Sequence, residues 1–285
     1  MTKVSFIVVT WNSAEHIAQL LADLPQSPDY ETIIVDNNSS DRTVQVIEKD
    51  FSHVRLIKNL RNERLARATN QAARAAQGDY LLLLNPDIII KQDSIDKMHS
   101  FMENHPDVGA LGPQLKYPNG RIQPSCREFP TYGNIFWEFT LIPRVFKSLS
   151  RWKMGYFDHK GTREVDQPMG SCLMVRRDVF FEVGMMDEAF PLFCNDVELC
   201  YRIRQAGYRI IFLGDAAAIH YHGASVRQVM AKTMIESHHS LYRYLRKHSK
   251  RTPALFLVGL IVFVTTVIRF LYYRIGELVG LRMSR

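Results

Sequence analysis

Short apolar runs alternate with amphipathic patterns over the first hundred residues of this chain. Four runs, at residues 4–9, 32–35, 54–57 and 80–84, have the length and apolar content of buried strands. Between them apolar residues recur every three or four positions, which is typical of helices that bury one face. Four β–α units of this spacing predict a parallel sheet covered by helices on both faces.

The first helix pattern is the clearest of these. Its apolar face consists of Ile17, Leu20, Leu21 and Leu24. Asn12 or Ser13, directly after the first strand, is the expected N-cap because a short polar side chain there can accept a bond from a backbone N–H of the first turn.

Polar residues stand at the carboxyl ends of the predicted strands, where open α/β sheets bind their ligands. The fourth strand ends in the stretch "LLLLNPDIII", in which Asn-Pro-Asp separates two apolar runs. The polar residues at these strand ends are Thr10, Asn12, Asp36, Asn37, Asn85 and Asp87. Each has a structural alternative, since Asn-Pro-Asp also forms turns and "DNNSSD" at 36–41 also caps helices.

Composition and motifs narrow the classes of protein. The 285 residues, 46% hydrophobic and 23% charged, fit a globular protein of one large or two small domains. No glycine-rich dinucleotide or P-loop motif follows a strand, so phosphates would be held by a metal on carboxylates. The four cysteines show no Cys-x-x-Cys spacing and suit a reducing cytosol.

The second half shows weaker periodicity. Residues 113–163 predict loops and short helices, and 164–180 a strand that enters a helix. A helix from about Val197 to Gly207 follows, then strands at 208–213 and 216–225, the latter ending in His220 and His222. Asp196 and Glu198 could be acids that merely favour a helix N-terminus, and the histidines could be ordinary packed residues.

Six segments, taken in order, resemble the family 2 inverting glycosyltransferases of GT-A fold. They are "SFIVVTWNSAEHI", "IIVDNNSSDRT", "NQAARAAQGDYLLLLNPDI", "GSCLMVRRDVF", "MMDEAFPLFCNDVELCYRIRQAGYRI" and "IHYHGAS", and they span residues 3–225. The similarity is greatest to bacterial rhamnosyltransferase-like enzymes of surface-polysaccharide assembly. It implies a Rossmann-like, mostly parallel central sheet with helices on both faces, followed here by a C-terminal hydrophobic helix.

The resemblance also implies roles for particular residues. Asp36 would bind the nucleotide base, and Thr10, Asn12 and Asn85 would line the nucleotide-sugar pocket. A divalent metal, Mg²⁺ or Mn²⁺, would be held by Asp87 and by His220 of the His-x-x-Gly-x-Ser motif. Asp196 would be the catalytic base. Hard oxygen ligands suit such a metal on a diphosphate leaving group, and inversion needs only one base.

Three positions depart from the family pattern. "NERLA" at 62–66 stands where the subgroup usually reads Asn-x-Gly-Phe-Ala. Asn195 replaces a Glu before the base, and Glu198 replaces an Asp. These changes would affect donor choice or rate, and Glu198 is the second candidate for the base.

The expected function is a metal-dependent transfer of a sugar from a nucleotide donor to a hydroxyl of a lipid-linked glycan acceptor. A dTDP-deoxysugar such as dTDP-rhamnose is favoured, with UDP sugars next, and no nucleic acid is expected. One alternative is a sugar-phosphate nucleotidyltransferase, although "TWNSAEH" lacks the glycine-rich loop of that class. The other is a catalytically decayed, membrane-bound sugar-nucleotide-binding protein, which only the altered 62–66 loop supports.

The last fifty residues predict a membrane attachment. Residues 254–268 carry no charge, and extending them to Tyr273 gives the roughly 20 residues that span a bilayer. Five Lys or Arg residues in 242–251 would lie against anionic headgroups. The helix could cross the bilayer or lie in its interface, with the enzyme on the cytoplasmic face of the inner or plasma membrane. The alternative is a buried soluble helix.

The domain boundaries follow from these patterns. Residues 1–228 are expected to form the GT-A domain, with a nucleotide-sugar-binding half at 1–112 and an acceptor and catalytic half at 113–228. Residues 229–285 would form a basic helix and the membrane-associating helix.

Overall fold

The computed structural model describes residues 3–138, 150–221, 230–249 and 253–278. The chain forms two compact units. The first comprises Met1–Phe129 and Phe157–Ser225, and the second Pro130–Tyr156 and Val226–Arg285.

The first half of the first unit is a run of β–α units. Its strands are β1 (Val4–Thr10), β2 (Tyr30–Asp36), β3 (Arg55–Lys58) and β4 (Tyr80–Leu84), and its helices are α1 (Ile17–Asp23), α2 (Thr43–Asp50) and α3 (Arg64–Ala75). β1 pairs in parallel with β2 and β4, and β2 pairs in parallel with β3. The four predicted β–α units are therefore confirmed.

The N-cap predicted for α1 is wrong. The helix begins at Ile17 with His16 at the N-cap and no side-chain capping bond. Asn12 cannot cap it because its side-chain oxygen accepts bonds from Ser40 across the neighbouring loop. A turn over residues 14–16 separates Ser13 from the helix, and it is the Ser13 carbonyl that accepts the Ile17 N–H.

The remaining elements of this unit complete the sheet. They are β5 (Ile88–Ile90), α4 (Gln92–Asn104), β6 (Val108–Lys116), β7 (Cys126–Arg127), β8 (Arg163–Glu164), β9 (Gln167–Pro168), β10 (Cys172–Arg176), α6 (Arg177–Glu182), α7 (Asn195–Gln205) and β11 (Arg209–His220). The main sheet has the order β3-β2-β1-β4-β10-β6-β11-β5, with β8 paired to β11, while β7 and β9 form a separate ribbon.

The sheet is mixed rather than mostly parallel. β10 is antiparallel to both β4 and β6, and β11 is parallel to β6 but antiparallel to β5 and β8. The parallel arrangement expected from the β–α units thus holds among β1 to β4 and between β6 and β11. β10 interrupts it because this strand enters the sheet from the opposite direction.

β11 is a single long strand where the sequence predicted two. A register shift between Leu213 and Ala217 lets it continue along β6. Gly214 lies at this shift, where a Cβ atom would stand 2.4 Å from the Gly161 carbonyl oxygen, so only glycine fits without movement. The continuation brings His220 opposite Ile88 of β5.

The second unit contains α5 (Tyr132–Glu138), α8 (Met230–His248) and α9 (Pro253–Leu278). α8 and α9 pack together, and their buried side chains include Leu241, Tyr244, Leu245, Leu255, Val258 and Val262. α9 forms where the sequence predicted the C-terminal hydrophobic helix. Over the described ranges, no helix combines the length and the apolar character needed to cross a membrane.

Candidate functional site

Thr10 and Asp36 meet where the parallel strands β1 and β2 end side by side. Asp36 is buried and accepts bonds from Thr10 Oγ1 at 2.9 Å, from Ser39 N at 2.9 Å and from the Ser39 hydroxyl. An ionised carboxylate offers about four lone-pair positions, and these donors fill three. Two of the bonds fall on Oδ1 and one on Oδ2, so Oδ2 can accept one more N–H from a ligand.

Asn12 fastens the loops that follow these strands. Its backbone has a φ of 51°, its N–H donates to Ser39 Oγ at 2.9 Å, and its Oδ1 accepts Ser40 N at 2.8 Å. The structure therefore brings Asn12 to the Thr10–Asp36 cluster as predicted, but its side-chain carbonyl is engaged within the protein. We infer a role in shaping the loop rather than in direct binding through Oδ1.

The Asn-Pro-Asp stretch is indeed a turn, closed by a bond from Ile88 N to the Asn85 carbonyl at 3.2 Å. The Asp87 carboxylate faces another strand. Tyr221 N donates to the Asp87 carbonyl at 3.0 Å, and the antiparallel register of β5 and β11 sets His220 beside it. Asp87 Oδ1 and His220 Nε2 are 3.5 Å apart, and both side chains are buried.

A neighbouring glutamine selects the tautomer of His220. Its Nδ1 lies 3.1 Å from Gln123 Oε1, an atom that can only accept, so Nδ1 carries the ring proton. When the ring is neutral, Nε2 is an acceptor that points at a carboxylate oxygen. Two acceptors in this position require a cation or a further proton between them.

When the further proton is on Nε2, His220 is a positively charged donor to Asp87. Burial on its own would raise the pKa of Asp87, but the hydrogen bond and positive charge of His220 outweigh it and leave the pKa below its ordinary value. The carboxylate is thus kept in the form that binds cations.

The pair fits a divalent metal ion in its dimensions. If each ligand atom lies about 2.1 Å from the metal, two ligand atoms 3.5 Å apart can bind the same ion. Among the described residues no group of three or more His, Cys, Asp or Glu side chains could hold a metal. His222, Gly223 and Ser225 of the predicted motif lie outside those residues.

Asp196 lies in the first turn of α7, half-buried, with both oxygens engaged by N–H donors. Oδ2 accepts Gly170 N and Gln167 Nε2, each at 2.9 Å, and Oδ1 accepts Val197 N at 2.9 Å. Burial raises the pKa of Asp196, and the bonds from Gly170 and Val197 reduce that rise without cancelling it. A carboxylate with a raised pKa is a better proton acceptor near neutral pH.

The approach of Gly170 requires the absence of a side chain. A Cβ at this position would lie 2.7 Å from the Asp196 Cβ, closer than such atoms approach in proteins. The next residue, Ser171, accepts Asn85 N through its carbonyl at 2.9 Å. One dipeptide therefore joins the carboxylate of Asp196 to the turn that carries Asp87.

Glu198, the second candidate for the base, is engaged elsewhere. It is fully buried and accepts from Arg202 Nε at 2.8 Å, and Arg202 also donates to the carbonyls of Val183 and Met185. Asn195 accepts Asp196 N and donates to the Leu192 carbonyl. Both departures from the family pattern thus have structural roles around the start of α7.

The altered 62–66 loop lies between two other loops. Leu65 N and Ala66 N donate to the Pro191 carbonyl at 2.9 and 3.2 Å, and Asn37 Nδ2 donates to the Arg64 carbonyl at 3.3 Å. Arg64 has a φ of +68°, in the left-handed region that favours glycine. This explains why the family pattern has glycine at that position.

Sequence reasoning missed the residues that orient the predicted ones. These residues act through hydrogen bonds between segments that are distant in the chain, so no local sequence pattern predicts them. They are Gln123, Gln167 and Gly170. Gly170, the glycine of "GSC", belongs to a segment that resembles the family, but the sequence does not indicate its contact with Asp196.

Comparisons with known proteins show the family of the chain. The family model described as glycosyl transferase family 2 matches residues 5–184. The N-acetylglucosaminyl-diphospho-decaprenol L-rhamnosyltransferase of Mycobacterium tuberculosis is 29% identical over 260 residues, which are 85% of this chain and 84% of that protein. The rhamnosyltransferase WbbL of Escherichia coli is 26% identical over 251 residues, 86% and 93% of the two chains.

Solved structures show the same fold. Staphylococcus aureus TarS 1-349 has a TM-score of 0.55 and 20% identity, covering 87% of this chain and 72% of its own. The mannosyltransferase PcManGT from Pyrobaculum calidifontis, in complex with GDP-Man and Mn²⁺, has a TM-score of 0.60 and 19% identity, covering 93% and 69%. At these identities the likeness concerns the fold alone.

Proposed function

Because the chain belongs to glycosyl transferase family 2 and is a glycosyltransferase of the rhamnosyltransferase type, we propose that it transfers rhamnose, with inversion, from a nucleotide donor to a lipid-linked glycan. The observation that carries the proposal is the buried pair of facing atoms, Asp87 Oδ1 and His220 Nε2, joined through the Gly170–Ser171 dipeptide to the carboxylate of Asp196.

Asp87 and His220 would hold a divalent metal, Mg²⁺ or Mn²⁺. When bound, that ion would neutralise charge on the diphosphate leaving group. Gln123 keeps the proton on Nδ1 of His220 and so presents Nε2 as a ligand, the usual supporting contact of a metal-binding histidine. A histidine ligand favours Mn²⁺ over Mg²⁺, which prefers oxygen.

Asp36 would bind the nucleotide base. Its remaining lone pair on Oδ2 suits the imide N–H of thymine or uracil, which are alike in this respect. The two relatives are rhamnosyltransferases and favour rhamnose, and dTDP-rhamnose is the donor that we expect, with UDP sugars as the alternative.

Asp196 would accept the proton of the attacking hydroxyl. Its position in the first turn of α7, with one oxygen held by two donors, leaves the other to receive the proton.

The acceptor and the location follow from the relatives and the second unit. One relative is named for a decaprenol-linked substrate. On α9, one face packs on α8, while Phe256, Leu257, Leu260, Phe263 and Val264 are exposed. We propose that this apolar face lies in the interface of the cytoplasmic membrane leaflet, with the exposed Arg246 and Lys247 of α8 near anionic headgroups.

A donor panel tests the proposed reaction. Purified enzyme, a lipid-linked acceptor and Mn²⁺ should release nucleoside diphosphate from dTDP-rhamnose faster than from UDP or GDP sugars. Asp87→Ala should lose most of this release, while Asp93→Ala, an exposed acid on α4, should not. Formation of nucleoside triphosphate when pyrophosphate is added to the donor would indicate a nucleotidyltransferase, and donor binding without release of nucleoside diphosphate a decayed enzyme.

A further inference from the structure

Gln167 donates two hydrogen bonds through its amide nitrogen, and its amide oxygen accepts none from the described residues. The side chain is buried, and Nε2 donates to Asp196 Oδ2 at 2.9 Å and to the Pro168 carbonyl at 2.7 Å. Oε1 is buried without a hydrogen-bond partner among the described residues. Buried carbonyl oxygens nearly always accept a hydrogen bond, so the orientation of this amide needs a physical explanation.

The cause is the charge beside the amide. If the amide were turned over, Oε1 would face the Asp196 carboxylate and the Pro168 carbonyl, two acceptors. In the observed orientation the amide donates a hydrogen bond to the carboxylate, and the glutamine oxygen is left without one among the described residues. A side chain that only filled space at this position would not need an amide group that donates to the carboxylate.

The bonds on Asp196 are distributed unequally between its two oxygens. Gln167 and Gly170 fill the two lone pairs of Oδ2, whereas within the described part of the chain Oδ1 accepts a bond from Val197 N alone. An incoming hydroxyl therefore finds its open lone pair on Oδ1. Without Gln167 the carboxylate could rotate, and either oxygen could turn away from the acceptor.

We propose that Gln167 is a positioning residue for the catalytic base, holding Oδ2 of Asp196 so that Oδ1 takes the acceptor proton. In the transfer, the acceptor O–H bond breaks, its proton goes to Oδ1, the oxygen bonds to the sugar carbon, and the sugar–phosphate bond breaks toward the diphosphate. This inference rests on the proposed function, because it assumes Asp196 as the base.

The position of Gln167 also bears on the pH range of the base. Among the residues that the structure describes, the other titratable or charged groups that act on Asp196 are Arg127 on β7, Cys194 before α7 and Cys200 within it. Burial raises the pKa of both thiols, so they stay neutral near pH 7. Arg127 and the N–H donors are left to favour the ionised carboxylate, and Gln167 is the donor that a single substitution removes most simply.

Two substitutions of similar size test the inference. Gln167→Met removes the donor, so turnover should fall about tenfold, as expected for a bond to a charged group. The acid limb of the kcat profile should move to higher pH, while the donor dissociation constant stays within about twofold. Gln167→Glu places a second carboxyl beside Asp196 and should also move that limb to higher pH.

Gln114→Met is the matched control. Gln114 is a buried glutamine on β6 that donates to the His159 carbonyl at 2.8 Å. This variant should lose stability without any change in the pH profile. Unchanged turnover and profile in Gln167→Met would overturn the inference while leaving the function intact. A wild-type enzyme that releases no nucleoside diphosphate would overturn both.

Discussion

At the residue scale, two opposing effects act on the ionised form of Asp196. Burial disfavours the charge of the carboxylate, and hydrogen bonds from three N–H donors stabilise it. Asp196→Asn keeps the size but removes the proton acceptor. We expect kcat to fall by about 10²–10⁴-fold while donor affinity, measured by calorimetry, is retained. Loss of donor affinity with normal turnover at saturation would assign Asp196 to binding instead.

The same residue should leave a signature in the stability of the protein. The pKa of Asp196 in the folded state is raised above its ordinary 3.8, so the folded state binds the proton more tightly than the unfolded state. Its contribution to stability is therefore present below about pH 3.8 and is lost as pH rises through the folded pKa. The difference in free energy of unfolding should shift in favour of Asp196→Asn between pH 4 and 7. Urea titrations that show a constant difference would contradict this.

Glu198 should behave as a structural residue. Removing its charge leaves Arg202 without its buried partner, so Glu198→Gln should lower the free energy of unfolding by about 3–5 kcal/mol. The control is Glu48→Gln, whose exposed pair with Lys58 should cost about 1 kcal/mol or less. Turnover per folded molecule should survive in both, and its loss in Glu198→Gln at low temperature would return Glu198 to the list of candidate bases.

The candidate site was predicted only in part at this scale. Thr10, Asp36 and Asp87 were found because they end apolar strands, and such ends are visible in the sequence. The contacts of Asp196 with Gln167 and Gly170, and of His220 with Gln123, join distant segments and leave no periodic trace. The ion pair of Glu198 with Arg202 has i,i+4 spacing, but its burial is set by tertiary packing.

At the scale of elements, the start of α3 carries a testable strain. Arg64→Gly removes a side chain from a left-handed position, which should stabilise the protein by about 1 kcal/mol. Arg67→Gly, at an exposed position inside the same helix, should destabilise it by about 1 kcal/mol. Thermal unfolding of both variants measures the contrast, and a loss of stability in Arg64→Gly would show that its side-chain contacts outweigh the strain.

The elements themselves were predicted unevenly. β1 and β4 are buried along nearly their whole length, and β2 over its last four residues, so these strands form continuous apolar runs that could be predicted. β3 is an edge strand with exposed ends, and its short apolar run was enough to predict its place in the chain. The antiparallel direction of β10 and the single long β11 could not, because a strand's partners are set by tertiary packing that its own residues do not encode. The bulge at Gly214 had no recognised signal for the same reason.

At the scale of the whole molecule, the exposed face of α9 predicts binding to lipid surfaces. Full-length enzyme should float with vesicles that contain anionic lipid, and Phe256→Ser with Phe263→Ser should weaken this several-fold by removing exposed apolar area. Leu60→Ser, at a fully exposed leucine in the first unit, is the control and should bind as the wild type does. Equal flotation of all three proteins would contradict the proposed membrane contact.

The insertion of β10 and β11 into the sheet has a consequence during synthesis on the ribosome. β6 ends at Lys116, but both of its neighbours in the sheet come from residues 172–220. At about 5–20 residues per second, the edges of this apolar strand wait roughly 5–20 s for their partners. Unpaired edges recruit other chains, so the yield of this enzyme in a cell should depend on the chaperones that meet the nascent chain in that interval.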